Sequence, residues 1–290
     1  VLPVKILALL FGVIPLPVTY VLARILHPLF HGAVKRGKWG IKTRRIIPKV
    51  FSHLSRPEQD RIMRENSLHL LKFAGEMLKA HYGSDFCLRR RVYIAEGEER
   101  YRALCESGRG FTIITCHLGN WEWAAAYLAL GLDRDYGGRE LYAPVFVEDS
   151  GGNDAINWVR QGHRVVLLEA GRDPRVSART LLRMVDLLKR GEIVYLVTDQ
   201  AAMGGDYRGS LFGAELRIFG GPFILGKKTG LPFLPLYCLR DGNNRLALHF
   251  EEPFHLKGEN VKEDIRRVTG FFERNIGAHP EQYLWSQDRW

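Results

Sequence analysis

The sequence predicts an α/β fold: a central mixed, largely parallel sheet flanked by helices, with a membrane-associated helix at the N-terminus. Three observations predict it. From about residue 90 onward, short apolar runs of strand length alternate with longer stretches of helical period. One strong hairpin signal, Asp241-Gly242-Asn243, places an antiparallel pair among strands otherwise separated by helices. The chain also opens on an uncharged apolar run followed by a dense basic block.

Residues 6–23 are eighteen without a charge, eleven of them large and apolar. Side chains of that type favour membrane insertion by about 3 to 7 kcal/mol in sum, before Pro15 and Pro17 are counted. The length is marginal for a span, and the prolines interrupt a helix, so a single crossing and a helix lying in the interface both stay open. Ten lysines and arginines, from Lys5 to Arg56, precede the first acidic residue, Glu58, whereas the remaining 233 residues balance to zero. The net charge of +10 therefore belongs to the N-terminal end. The block at residues 35–49 suits anionic headgroups and places the following domain on the cytoplasmic side. Residues 1–50 read as anchor and juxtamembrane segment, and 51–290 as the main domain. A signal peptide fits less well, because a basic block and not a cleavage site follows the apolar run, and a basic arm for nucleic acid fits less well because such arms rarely start with an apolar run.

Along the body, Pro57 opens a helix to about Tyr82, stopped by Gly83. Residues 111–116 (FTIITC) read as a buried strand and 121–130 as the helix behind it. Residues 140–147 are the next strand, and 153–161 follow a Gly151-Gly152 break. Residues 164–168 and 193–198 are further strands around a helix that starts at Pro174 and stops at Gly191. Residues 232–239 and 245–251 flank the hairpin turn, and a last helix covers 261–276. The scattered Cys87, Cys105, Cys116 and Cys238 match neither a disulfide framework nor a metal site.

The candidate site is HLGNWE, residues 117–122. His117 follows a buried strand and precedes a helix, the strand end where open α/β sheets bind ligands. Glu122 stands five residues on, so the pair meets only if His117 occupies the turn and Glu122 the first helical turn. Gly119 permits the tight backbone and Asn120 is a good N-cap, and free N–H groups there would hold an oxyanion. Neutral imidazole takes a proton from an alcohol, and a carboxylate fixes its tautomer. No GxSxG nucleophile is present, which favours direct attack by an acceptor hydroxyl on an acyl thioester. The spacing alone is weak: with ten histidines and 32 acidic residues, about one such match arises by chance, and His53 with Glu58 is another.

HLGNWE after an apolar strand, Thr198-Asp199-Gln200 after another, Phe212-Gly213 and Phe219-Gly220, KKTGLPFLPLY and the closing Pro280-Glu281-Gln282-Tyr283-Leu284-Trp285 together resemble the bacterial lipid A biosynthesis (lauroyl/myristoyl) acyltransferase family, over roughly residues 105 to 290. The resemblance implies acyl transfer from an acyl carrier protein or coenzyme A thioester to a hydroxyl of a membrane glycolipid, at the cytoplasmic side of the bacterial inner membrane. It implies His117 as base, Glu122 as its partner and Asp199 as a site-shaping carboxylate. No cofactor or metal is expected, the thioester being a co-substrate, and no nucleic acid. An ornithine-lipid, lysophospholipid or aminoacyl transferase of the same fold is the alternative, as is a non-catalytic lipid-binding protein. Two departures remove positive charge that could face phosphates: Tyr142-Ala143-Pro144 where the family carries Tyr-Arg-Pro, and Ser286-Gln287-Asp288-Arg289 where it ends on His-Arg-Arg. Arg175 and Arg179, with Arg183 and Arg172, and the pair Lys227 and Lys228 are candidate contacts to an acidic carrier or a phosphate. A solvated face explains them as well. Phe219, Phe223 and Phe233 suit an acyl groove or, more simply, the core.

Overall fold

The computed structural model describes all residues except 1, 81–84, 147–159, 161, 163, 172, 201–206 and 287–290. Four helices open the chain: α1 (Leu2–Val13), α2 (Leu16–Arg36), α3 (Lys38–Val50) and α4 (Arg56–Ala80). α5 (Asp85–Arg91) leads into β1 (Val92–Glu96), and α6 (Glu98–Glu106) into β2 (Phe111–Thr115). Then come α7 (Trp121–Asp135), β3 (Leu141–Phe146), β4 (Val165–Ala170), α8 (Pro174–Lys189) and β5 (Ile193–Val197). A ribbon of β6 (Arg208–Leu211) and β7 (Ala214–Arg217) precedes α9 (Gly221–Thr229), β8 (Phe233–Arg240), β9 (Leu246–Phe250) and α10 (Val261–Ala278). A 3-10 turn, Pro280–Gln282, closes the described chain.

The main sheet has seven strands in the order β1-β9-β8-β2-β5-β3-β4, parallel throughout except for the β8–β9 hairpin. The expected mixed, largely parallel sheet is therefore present. β2 lies inside it with parallel neighbours on both edges. Its residues alternate between two cores: Phe111 and Ile113 pack with α7, Ile114 and Cys116 with the layer that holds α10. A strand covered on both faces needs an uninterrupted apolar run, which is why FTIITC carries no polar alternation.

The apolar run at the N-terminus is split. Ile14 and Pro15 separate α1 from α2, and Pro17 sits in the first turn of α2, where its missing N–H costs nothing. Lys79 of α4 closes the end of α1 by donating from Nζ to the carbonyls of Phe11, Gly12 and Ile14 at 3.2, 2.9 and 2.7 Å. Among the described residues, no helix is long and apolar enough to cross a membrane. Leu16 and Tyr20 of α2 join the core beside β2, and Ile46 and Ile47 of α3 join the opposite core with Trp285. The outward face stays apolar: Ile6, Leu9, Leu10, Val13, Val18, Val21, Ile25, Leu26 and Leu29 are exposed.

Several elements differ from the sequence reading. β1 and α5 have no counterpart in the sequence reading: VYIAE is short and half exposed, and three arginines run straight into it. β6 and β7 are four residues each, joined by Phe212 and Gly213 at φ 51° and 75°; a phenylalanine in the left-handed region gives no sequence cue for a tight hairpin. Of the expected 153–161 segment only Arg160 is described, and it is helical; the break at Gly151-Gly152 lies outside the described residues. So do Arg172, the end of the α4 helix at Tyr82 and Gly83, and the charge-poor ending at 287–289.

Candidate active site

The parallel register builds the site. Thr115 of β2 pairs with Val197 of β5, so the residues two further along each strand, His117 and Asp199, arrive side by side at the C-terminal edge of the sheet. His117 Nδ1 lies 2.6 Å from Asp199 Oδ1, and the His117 backbone N–H donates to Asp199 Oδ2 at 3.1 Å. Asp199 as a carboxylate is an acceptor only, which assigns the ring proton to Nδ1 and makes Nε2 the basic nitrogen of the ring. Gln200, which is exposed, stands with its amide nitrogen 3.2 Å from that Nε2. His117 is 6% exposed, and its ring meets Trp121 edge-on, centroids 4.6 Å apart.

Glu122 lies in the first turn of α7, as its spacing requires. Its carboxylate is held by the Arg160 guanidinium, with Nε at 3.0 and 3.1 Å from the two oxygens, and by the Trp121 indole N–H at 3.1 Å. Burial works against the charge on Arg160, but Glu122 outweighs it and raises its pKa. Trp121 thus links the expected pair: its ring lies on His117 and its N–H is bound to Glu122.

The turn between them is held from three sides. Gly119 has φ 64°, and a Cβ there would meet the Cys238 carbonyl oxygen at 1.9 Å, so glycine is needed for conformation and for space. Asn120 is the N-cap of α7, accepting from the Trp123 N–H at 3.0 Å. Two of the expected free donors, those of Gly119 and Asn120, are occupied. The Gly119 N–H donates to the Gln282 carbonyl at 3.0 Å, and the Asn120 N–H faces the Cys238 sulfur. These two groups fix the turn and do not supply an oxyanion contact, because folding brings the C-terminal segment and β8 against them.

That C-terminal segment is the PEQYLW word. Leu284 donates its N–H to the His117 carbonyl at 3.0 Å, and Leu118 bridges Tyr283. Gln282 also spans Arg240, accepting from its N–H at 2.7 Å and donating to its carbonyl at 3.1 Å. Asn66 of α4 donates to the carbonyls of Glu281 and Tyr283.

Behind the turn runs a buried polar network. Glu76 of α4 is fully buried, paired with Arg240 through its two terminal guanidinium nitrogens, and accepts from Tyr20 Oη at 2.6 Å and Asn120 Nδ2 at 2.8 Å. Burial opposes ionisation of Glu76, yet Arg240 and the bonds from Arg240, Tyr20 and Asn120 outweigh it and hold the carboxyl below its ordinary range. His69, one face along α4, reaches the Gly119 carbonyl with Nε2 at 3.2 Å. Its burial, with Arg240 nearby, pushes its pKa down to about 3, so it stays neutral.

The remaining candidates are dispersed. Arg175 and Arg179 are exposed on α8, near the edge that carries His117, with no ion pair among the described residues. Lys227 and Lys228 are exposed at the end of α9, immediately before β8 starts, and therefore at the opposite edge from His117. Phe223 and Phe233 are core residues, each 1% exposed, and Phe219 is surface. A cleft of about 710 Å³ between Glu96, Arg100, Glu251, Arg266 and Arg274 also lies away from His117, and Arg100, Arg266 and Arg274 are already paired with glutamates.

The model of the bacterial lipid A biosynthesis acyltransferase family matches residues 6–290. The chain belongs to this family. It is an acyltransferase of lipid A and lipopolysaccharide biosynthesis, and the family implies a lipid acceptor and an acyl donor. Among curated proteins no match is found. For the acyltransferase, the two sequence words HLGNWE and PEQYLW prove to be one structure, a turn and the strap bonded across it. Missed by sequence reasoning were Glu76, Arg240, Tyr20, Asn66, His69 and Arg160. Glu76 had a signal, a carboxylate among Phe73, Met77 and Leu78 on a helix. Asp199 had a stronger one, since a Thr-Asp after a buried strand matches the offset of His117 from its own.

Proposed function

We propose that the acyltransferase moves a fatty acyl group from an acyl carrier protein or coenzyme A thioester to a hydroxyl of a lipid A-type glycolipid, with His117 as general base. The bond from His117 Nδ1 to the buried Asp199 carboxylate carries this reading, because it leaves Nε2 as the basic nitrogen at the substrate edge of the sheet. The acceptor hydroxyl gives its proton to Nε2 while its oxygen attacks the thioester carbonyl. The tetrahedral intermediate collapses, the C–S bond breaks, and the imidazolium returns the proton to the departing sulfur. Ester and free thiol result. Asp199 orients the ring and stabilises the imidazolium, a role the sequence reading gave to Glu122. Glu122, clamped by Arg160, acts through Trp121 to hold the ring in place. The Gln200 amide beside Nε2 is the donor within reach of an oxyanion formed there.

The exposed apolar faces of α1 and α2, with an exclusively basic neighbourhood up to Arg56, support attachment in the interface of the inner membrane's cytoplasmic leaflet. The test is thioester consumption by detergent-solubilised protein with a total membrane lipid extract as acceptor. Wild type should label a lipid, and His117→Ala should reduce the rate by at least ~100-fold. Equal rates would make His117 structural.

A further inference from the structure

α4 carries a cation that the chemistry above does not use. His69, Lys72 and Glu76 share one face of this helix: His69 touches the Gly119 carbonyl and Glu76 touches Asn120, so Lys72 stands about one helical turn from the catalytic turn. Lys72 is only 7% exposed. Among the described residues its ammonium makes one hydrogen bond, to Asn244 Oδ1 at 2.6 Å in the β8–β9 turn, and two of its three N–H groups are unused. The carboxylate beside it, Glu76, is taken up by Arg240 on both oxygens. Lys72 and Arg240 lie 5.9 and 5.6 Å from the centre of the Tyr20 ring, two cations around one aromatic and one carboxylate.

The surroundings add positive charge. Arg24 and Arg91 have no ion pair among the described residues; Arg24 stands one helical turn along α2 from Tyr20, and Arg91 at the end of α5 directly precedes Val92, which pairs with Leu246 beside the β8–β9 turn. Arg24 sits between the exposed Leu22 and Ile25, so it borders the apolar face. Asp241, the other carboxylate of the turn, is bonded to Tyr93 and to the N–H groups of Asn243 and Arg245. A buried ammonium with spare donors and uncompensated neighbours is costly unless an anion completes it. Because β8 runs parallel to β2, this turn lies at the same sheet edge as His117.

We propose that Lys72, with Arg24 and Arg91, forms a phosphate subsite beside the catalytic turn, which takes a phosphate group carried by the acceptor lipid. The proposal rests on the acyl-transfer reading for its substrate, but not for its binding chemistry. Two spare ammonium donors and two free guanidinium groups match the several oxygens of a phosphate monoester.

The full chain is tested as wild type, Lys72→Met, Arg24→Gln and Arg91→Gln. The donor thioester is kept constant, and the acceptor is a phosphorylated lipid A-type glucosamine disaccharide or the same lipid after dephosphorylation. Wild type should show a KM roughly 10- to 100-fold lower for the phosphorylated acceptor, as expected for charge-assisted bonds to one anion. Lys72→Met should remove that preference with kcat little changed, and the two arginine variants should reduce it. Inorganic phosphate should compete with the acceptor in wild type and not in Lys72→Met. Binding to phosphatidylcholine vesicles with and without phosphatidic acid separates a bilayer phosphate from the acceptor's own. Vesicle binding that depends on Lys72, with no KM preference, overturns the assignment to the acceptor. An equal loss on both acceptors makes Lys72 structural and overturns the subsite. Should wild type acylate neither lipid, the transfer reading fails alone, and Lys72-dependent binding of inorganic phosphate still decides the subsite.

Discussion

The catalytic turn and the N-terminal helices are built on opposite principles. Around His117 the polar groups are densely tied together: Asp199 holds ring and backbone, Asn120 caps α7, Gln282 and Leu284 strap the turn, and Glu76 joins Tyr20, Asn120 and Arg240, while His69 Nδ1, Thr198 Oγ1 and Arg240 Nε have no partner among the described residues. Along α1 and α2 the inward side is similarly fastened, by Lys79 and Tyr20, but the outward side offers large apolar residues to the surroundings. The first region gains precision from low dielectric and a connected set of bonds. The second retains an apolar face that water does not stabilise. Its energetics are incomplete without a surface to cover it.

Breaking the buried network should have the largest effect. Glu76→Leu leaves the Arg240 guanidinium buried without its anion and should destabilise the fold by about 3–5 kcal/mol in chemical denaturation. Glu76→Leu with Arg240→Met should recover most of that. Failure to recover would mean that the bonds from Glu76 to Tyr20 and Asn120 matter more than the ion pair.

Next comes the chemistry. His117→Ala should lose at least ~100-fold in transfer, about 2.7 kcal/mol of barrier, measured on protein shown to be folded. Asp199→Asn should lower kcat more than it raises KM, since it changes the ring's tautomer and not the acceptor's contacts. A loss confined to KM would remove Asp199 from that role.

The third effect is graded with pH. His69 is held neutral in the fold, its pKa pushed down to about 3 by burial, against an ordinary value near 6.5. Between those values the unfolded chain binds the extra proton, so stability from this group is full above about 6.5 and lost progressively as pH falls toward 3. Stability measured across that window should flatten in His69→Asn relative to wild type. An unchanged slope would assign acid sensitivity to other groups, Glu76 first among them.

Smallest for the fold, and most informative for the contrast, is the outer face. Leu9→Glu, Leu22→Glu and Ile25→Glu should each shift stability by no more than ~0.5 kcal/mol in detergent-free solution. The triple variant should nonetheless lose flotation with anionic vesicles. A large stability loss would show that this face is covered by protein.

The sequence by itself determined the strand-and-helix alternation and the hairpin at Asp241-Gly242-Asn243. It also determined His117 at a strand end, Asn120 as a cap and the segregation of charge before Glu58. These are local facts: periodicity, turn chemistry and side-chain type act over a few residues. Tertiary structure alone decided which carboxylate holds His117, because that depends on the register of β2 against β5, elements about eighty residues apart. It decided that PEQYLW straps HLGN, that Glu76 and Arg240 meet under the turn, and that Lys227 and Lys228 fall at the far edge. It also converted one apolar run into two helices, since Pro15 breaks the ladder and Lys79, from a distant helix, satisfies the carbonyls left at the break. Contacts of this kind are set by strand order and packing, which no spacing along the chain encodes.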